Sequence, residues 1–234
     1  MVAVIPGVPE FGVVDLFDPA LDARERDDSF RDYSVIHAHY FPSYPHVLED
    51  ISIHLATEVP PDGEIVHAWL LSRDGKPVGI WNFNVNVRTG VVLMLFGAIH
   101  RHARIDLPRE YLPRLIGYLL GICEAEAHGL GFSLHAAILE SDVHHLRRWE
   151  SCGFTVVDSE YREPIHGAHW PNFGDLAFFE DYSACVLPID AGHAKSRADL
   201  AKMCLRALLI DHYRLPENHP NVEASLRRAE AIRS

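Results

Sequence analysis

Residues 91–99, Val-Val-Leu-Met-Leu-Phe-Gly-Ala-Ile, form an apolar run with no alternation. A strand with one wet face alternates apolar and polar side chains, whereas one covered on both faces does not, so this run predicts a central strand of a sheet. A loop over residues 100–109 follows. Apolar residues then recur at Leu112, Leu115, Ile116, Leu119, Ile122 and Cys123, the spacing of one helix face. Gly129-Leu130-Gly131 ends that helix, and residues 132–139 are a second strand-like run. A strand–helix–strand crossover of this kind makes its two strands parallel and its connection right-handed. A further helix, ending at Cys152-Gly153-Phe154, closes the unit.

The rest of the chain is arranged around that unit. Residues 11–17 read as an edge strand, residues 22–40 as a charged helix with Phe30, Tyr33, Ile36 and His37 on one side, and residues 46–58 as a second helix. Residues 65–72 and 78–87 read as strands joined by a hairpin at Asp74-Gly75. In the second of these, Trp81, Phe83, Val85 and Val87 alternate with Asn82, Asn84, Asn86 and Arg88. The amide row is either a solvated face or the polar wall of a substrate site. After Phe154 the pattern predicts a strand over 155–161, a loop over 163–174 and a strand over 176–188. A helix capped by Ser196 with Asp199 follows, and a last helix spans 221–234. The expected division is a main domain over 1–188 and a helical extension over 189–234.

Composition narrows the function. The chain has 234 residues, 48% of them hydrophobic, enough for a substantial core. Its formal net charge of −12 disfavours nucleic acid, since phosphate neutralisation needs a basic face. No apolar run approaches the roughly 20 residues of a membrane span, and residues 1–10 do not read as a signal peptide, so a cytoplasmic location without membrane attachment is expected. The four cysteines lack CxxC spacing and read as reduced core residues. Sixteen histidines include the pairs His37/His39, His100/His102, His144/His145 and His166/His169, but no strong zinc motif, so no metal is expected.

The order strand, hairpin, central strand, loop, helix, strand, helix, Gly-Phe, strand resembles the GNAT superfamily of N-acetyltransferases over residues 11–188. In that family an Arg or Gln five positions after the last apolar strand residue opens the acetyl-CoA loop. Arg104 keeps that spacing from Ile99. The family's loop glycines fall on Leu107 and Arg109, and its closing Asn, Ala and Tyr fall on Asp142, His145 and Trp149. Gly153-Phe154 is retained. The resemblance implies an α/β mixed sheet of the GNAT-like acyl-CoA N-acyltransferase fold, here with a C-terminal helical extension.

It also implies chemistry. An acyl group would pass from acetyl-CoA or another acyl-CoA to the amine of a small molecule. Ala98 and Ile99 would bind the acyl donor, and Arg101, Arg104 and Arg109 would hold its phosphates through side chains, because Leu107 and Arg109 restrict the backbone approach that glycine allows. Asp106, before Pro108, is expected to cap the helix N-terminus and compete for the donors a phosphate would use. Glu140 or His100 would accept the ammonium proton, and His145, one turn before Trp149, would replace the missing tyrosine acid. Asn82, Asn84 and Trp149 would line the substrate site. Two alternatives stand beside this reading: a GNAT-fold binding or regulatory module without CoA chemistry, and a repurposed enzyme assisted by metal on His100, His102 and His144 or His145. The oligomeric state is left open.

Overall fold

The unbroken run forms β5 (Val91–Ile99), in a computed structural model that describes residues 3–5, 8–57, 63–105, 107–164, 179–189 and 195–232. Val91, Val92 and Leu93 are fully buried, as a strand covered on both faces requires. β5 pairs in parallel with β6 (Ala136–Ser141), from Val91↔Ala136 to Met94↔Leu139. The helix between them is α3 (Tyr111–Gly129). The second strand starts later than expected, since Phe132 N–H still turns back to Ala127 O at 2.9 Å and regular pairing begins at Ala136. His135 N–H donates to Gly90 O at 2.8 Å, and His135 O accepts from Ile189 N–H at 3.0 Å.

Contacts divide the chain into two compact units, residues 1–84 with 95–122 and residues 85–94 with 123–234. The first unit carries the strand order β1 (Ala3–Ile5), β2 (Val8–Asp15), β3 (Glu64–Arg73), β4 (Lys76–Asn86), β5. β2 is antiparallel to both β1 and β3, so it is an internal strand and not the edge expected for residues 11–17. The β3–β4 turn has Asp74 at φ 51° and Gly75 at φ 70°, the paired left-handed values that match strand twist in a two-residue hairpin. α1 (Ala23–Tyr40) starts where Asp22 accepts from Glu25 N–H at 2.8 Å, and α2 (Pro45–Thr57) begins on a proline, whose missing N–H costs nothing in a first turn. Their apolar faces bury Tyr33, Ile36, Val47 and Ile51 against Leu16, Ala68, Leu70 and Ile80.

β4 departs from the one-sided strand read from its alternation. Trp81, Phe83 and Val85 are buried, yet Asn82, Asn84 and Asn86 are buried too, and Val87 lies past the strand's end with 36% exposure. The amide row is therefore not a solvated face.

In the second unit the order is β5, β6, β10 (Ser183–Pro188), β7 (Thr155–Asp158), with β10 antiparallel to both neighbours. The run over 176–188 is not one strand. Within it, β9 (Phe179–Asp181) pairs with β8 (Arg162–Pro164) in a separate two-stranded sheet, so residues 163–164 are strand where a loop was expected. The remainder of that loop, 165–174, lies outside the described residues together with 175–178, and so do His166 and His169. α4 (Leu146–Glu150) is little more than one turn. It ends at Gly153, φ 92°, with Phe154 N–H donating back to Trp149 O at 3.1 Å, and Phe154 is buried. Beyond β10, Ser196 caps α5 (Arg197–Arg206), which passes into a π-helical turn, Ala207–His212, and α6 (Pro220–Glu230) follows. α5 packs on β6 and β10, and α6 on β7. All four cysteines are free thiols, and burial pushes that of Cys185 up to about 12.

Candidate functional site

In the first unit the candidate site begins where the β5 ladder stops. The pairing with β6 ends at Met94, and residues 95–99 run on beyond it. Burial relaxes over the same residues: Leu95, Phe96 and Ala98 are half-buried and Gly97 is exposed. His100 N–H donates to Val78 O on β4 at 2.8 Å, so by strand alternation the backbone groups of Leu95, Gly97 and Ile99 point away from β4. Gly97 is small for a reason, since a Cβ there would meet the Trp81 ring at 3.2 Å.

The following turn is wound tightly. Arg101–Arg104 form a short 3₁₀ helix in which Ala103 N–H donates to His100 O at 3.0 Å, and Ile105 and Leu107 N–H make longer contacts of 3.4 Å to His102 O and Arg104 O. Arg73 Nη1 donates to Ala103 O at 2.8 Å and to Ile105 O at 3.1 Å, fixing the turn from β3. The amides of Ala103, Ile105 and Leu107 are thus directed into the chain itself, where a phosphate-cradling loop would leave such groups free. The side chains differ: Arg101 and Arg109 are exposed, and the Nε of half-buried Arg104 is buried with no hydrogen-bond partner. α3 starts at Tyr111, so Pro108 stands in the preceding turn and not in the first turn of the helix; Asp106 lies outside the described residues.

His100 closes this end of β5. Its Nδ1 lies 2.9 Å from Tyr40 Oη, and its ring stacks on His102 at 5.3 Å, with His39 at 6.1 Å. Burial first, then repulsion from His102 and His39, lowers its pKa and keeps the imidazole neutral. Among the described residues no three His, Cys, Asp or Glu side chains converge as a metal centre would need.

Asn84 Nδ2 donates to Glu64 Oε2 at 2.6 Å, while the Oδ1 atoms of Asn82 and Asn84 are buried with no hydrogen-bond partner. Glu64 also lines a cavity of about 610 Å³ with Phe17, Arg26, His54, Leu55 and Val66. The cavity is mostly apolar, with charge at a few points, the usual make-up of a small-molecule site.

The second unit holds Glu140, near the end of β6. It is half-buried, and both carboxylate oxygens are engaged: Tyr161 Oη donates to Oε1, and Tyr213 Oη donates to Oε2 at 2.6 Å. Burial raises its pKa, against the opposing effects of Tyr161, Tyr213 and nearby His212. Glu163 is 3.4 Å from the Tyr213 hydroxyl. His145 and Trp149 are engaged elsewhere. His145 caps nothing on α4 and instead places Nδ1 2.7 Å from Asp142 Oδ2, with 59% of its side chain exposed. Trp149 packs edge-on against Phe154 at 5.9 Å.

Sequence reading missed Tyr40, Tyr161, Glu163 and Tyr213. Tyr40 continues the face of Tyr33, Ile36 and His37, but none of the four sits in a motif, so only folding reveals its partner.

The elements run β3, β4, β5, basic turn, α3, β6, α4, Gly153-Phe154, β7, the order on which the resemblance was drawn. That order of elements is GNAT-like. No family model matches the sequence, and no curated protein matches it. Among solved structures, Tetrahymena GCN5 superposes with a TM-score of 0.48 at 11% identity, over 78% of this chain and 99% of that one. A spermidine N-acetyltransferase from Vibrio cholerae in complex with CoA and spermine gives 0.47 at 13% identity, over 76% and 95%. A GNAT-family acetyltransferase from Streptococcus pneumoniae gives 0.48 at 13%, over 77% and 100%. No helix in the described residues is long and apolar enough to cross a membrane.

Proposed function

We propose that the protein is an N-acyltransferase that moves an acyl group from acyl-CoA to a small-molecule amine. The observation that carries this reading is the strand segment 95–99, which outruns its ladder with Gly97 exposed and backbone groups turned away from β4. Donors fixed in this way suit a carbonyl oxygen that gains charge during acyl transfer. The buried, unpartnered Nε of Arg104 fits an anion, and with Arg101 and Arg109 it would hold the phosphates of the donor. When bound, acyl-CoA supplies the activated acyl carbon.

Glu140, in the second unit, is the carboxylate we assign as proton acceptor, its affinity for protons raised by burial. His100, beside Tyr40, is the alternative acceptor, its affinity for protons lowered by burial. The cavity lined by Glu64, Arg26 and His54 is the candidate pocket for the amine substrate, mostly apolar with a few polar groups to orient it. Soluble cytoplasmic action on a small amine, without nucleic acid or membrane, is consistent with the acidic charge balance.

A titration of the purified protein with acetyl-CoA, followed by release of free CoA thiol in the presence of a panel of amines, tests the reading. Arg104→Ala should weaken acyl-CoA binding by about tenfold or more, the lower end for one charge-assisted contact, with strong salt dependence. The turn's internally bonded amides favour a second reading, a binding module without CoA chemistry. Absence of acyl-CoA binding at millimolar concentration would decide for that module.

A further inference from the structure

Tyr213 comes from the segment beyond β10, and the backbone on either side of it is irregular. The α5 helix does not continue regularly to this residue. It widens into the π-helical turn, where Tyr213 N–H donates to Leu208 O, five residues back, at 2.9 Å. The next residue, Arg214, has φ 57°, a left-handed value uncommon for a residue with a side chain. Features of both kinds persist where surrounding contacts over-determine them, and π turns cluster at functional sites. Here they deliver one hydroxyl to one carboxylate.

The phenol of Tyr213 is buried, 2% exposed, and sits between two acids, 2.6 Å from Glu140 Oε2 and 3.4 Å from Glu163 Oε1. A hydroxyl has a single proton to donate. The shorter contact assigns it to Glu140. The groups facing Glu140 are Tyr161 from the chain before β8, and His212 and Tyr213 from the C-terminal segment; Glu163 on β8 and Asp158 on β7 bear on the tyrosines. Arg228 of α6 is taken up by Asp158, so its guanidinium does not stand in for the phenols.

We propose that Tyr213 is a positioning residue for Glu140, and that the C-terminal segment thereby completes the proton-holding site. The part Glu140 plays in acyl transfer rests on the reading above; the hold of Tyr213 on Glu140 does not. A phenol that donates to a carboxylate favours the ionised form and opposes the effect of burial. Loss of that bond makes Glu140 ionise at higher pH.

The test follows the side-chain carboxyl carbon of Glu140 by NMR in protein labelled with 13C-glutamate, the signal being assigned by its loss in Glu140→Gln. In Tyr213→Phe the titration midpoint should rise by about 1–2 pH units, the equivalent of one charge-assisted hydrogen bond. Arg206→Ala, which removes only an exposed ion pair with Glu217 from the same segment, should leave the midpoint in place. If Tyr213→Phe does not fold, site-specific fluorotyrosine at position 213 keeps the shape and strengthens the donor, and the midpoint should fall. An unmoved midpoint in either protein overturns the proposal and makes Tyr213 a packing residue. Because the readout is titration and not turnover, it separates failure of this inference from failure of the acyltransferase reading.

Discussion

Arg228 on α6 holds Asp158 on β7 in a two-pronged ion pair, Nε to Oδ1 at 2.7 Å and Nη2 to Oδ2 at 2.8 Å. The Asp158 side chain is fully buried, and the guanidinium is partly open to solvent. Removing the cation would strand a buried carboxylate, which costs far more than losing an exposed pair. Arg228→Ala should lower unfolding stability by about 3 kcal/mol, near the lower end for a broken buried pair because Arg228 is partly exposed. Urea denaturation at neutral pH measures it, and a change below about 1 kcal/mol would assign the pair the weight of an ordinary surface contact.

Glu140 predicts a stability that falls as pH rises. Burial raises its folded pKa above the unfolded value, so between the two the native state holds a proton that the unfolded chain has released. Stability is therefore fullest below the ordinary glutamate range and declines through the folded pKa. Glu140→Gln, neutral at every pH, should flatten this decline and be the more stable protein at its alkaline end. Thermal melts of both proteins across pH would show parallel curves if Glu140 contributes nothing.

His37 gives the opposite slope. Its ring lies among Tyr33, Phe41 and Phe96, and burial, with His46 adding a smaller repulsion, pushes its pKa down to about 4. Below the unfolded value the denatured chain binds a proton that the native state refuses, so stability is lost as pH falls from the ordinary histidine range toward 4. The loss should reach roughly 3 kcal/mol. His37→Leu should remove that acid limb while preserving the neutral-pH fold, as read by denaturation midpoints at pH 7 and pH 4.5.

Gly90 is the turn position least open to substitution. Its φ is 65°, and a Cβ added there would lie 2.2 Å from Ser133 O, a backbone atom with no rotamer to move. Gly90→Ala should cost more than the about 1–2 kcal/mol of a left-handed residue alone. Gly75, also left-handed but with nothing within 4 Å of its added Cβ, is the control that should show only the conformational part.

The sequence by itself determined the central unit. Unbroken apolar runs, a helix-period stripe and the glycines at Gly75, Gly90 and Gly153 are local signals, and each states its conformation without reference to distant residues. That is why β5, α3 and the parallel partner of β5 were legible, and why Ser196 marked a helix start. Alternation in β4 was also real, but it could not tell a solvated amide row from a buried one, because partners such as Glu64 for Asn84 and Asp211 for Asn86 lie in other elements. The internal place of β2 and the splitting of residues 176–188 are decided by pairing across the sheet. The Glu140 cluster belongs wholly to tertiary structure. Tyr213 lies 73 positions from the carboxylate it holds, and a buried acid gathers its hydrogen-bond donors from whichever elements the fold brings to it, not from its neighbours in the chain.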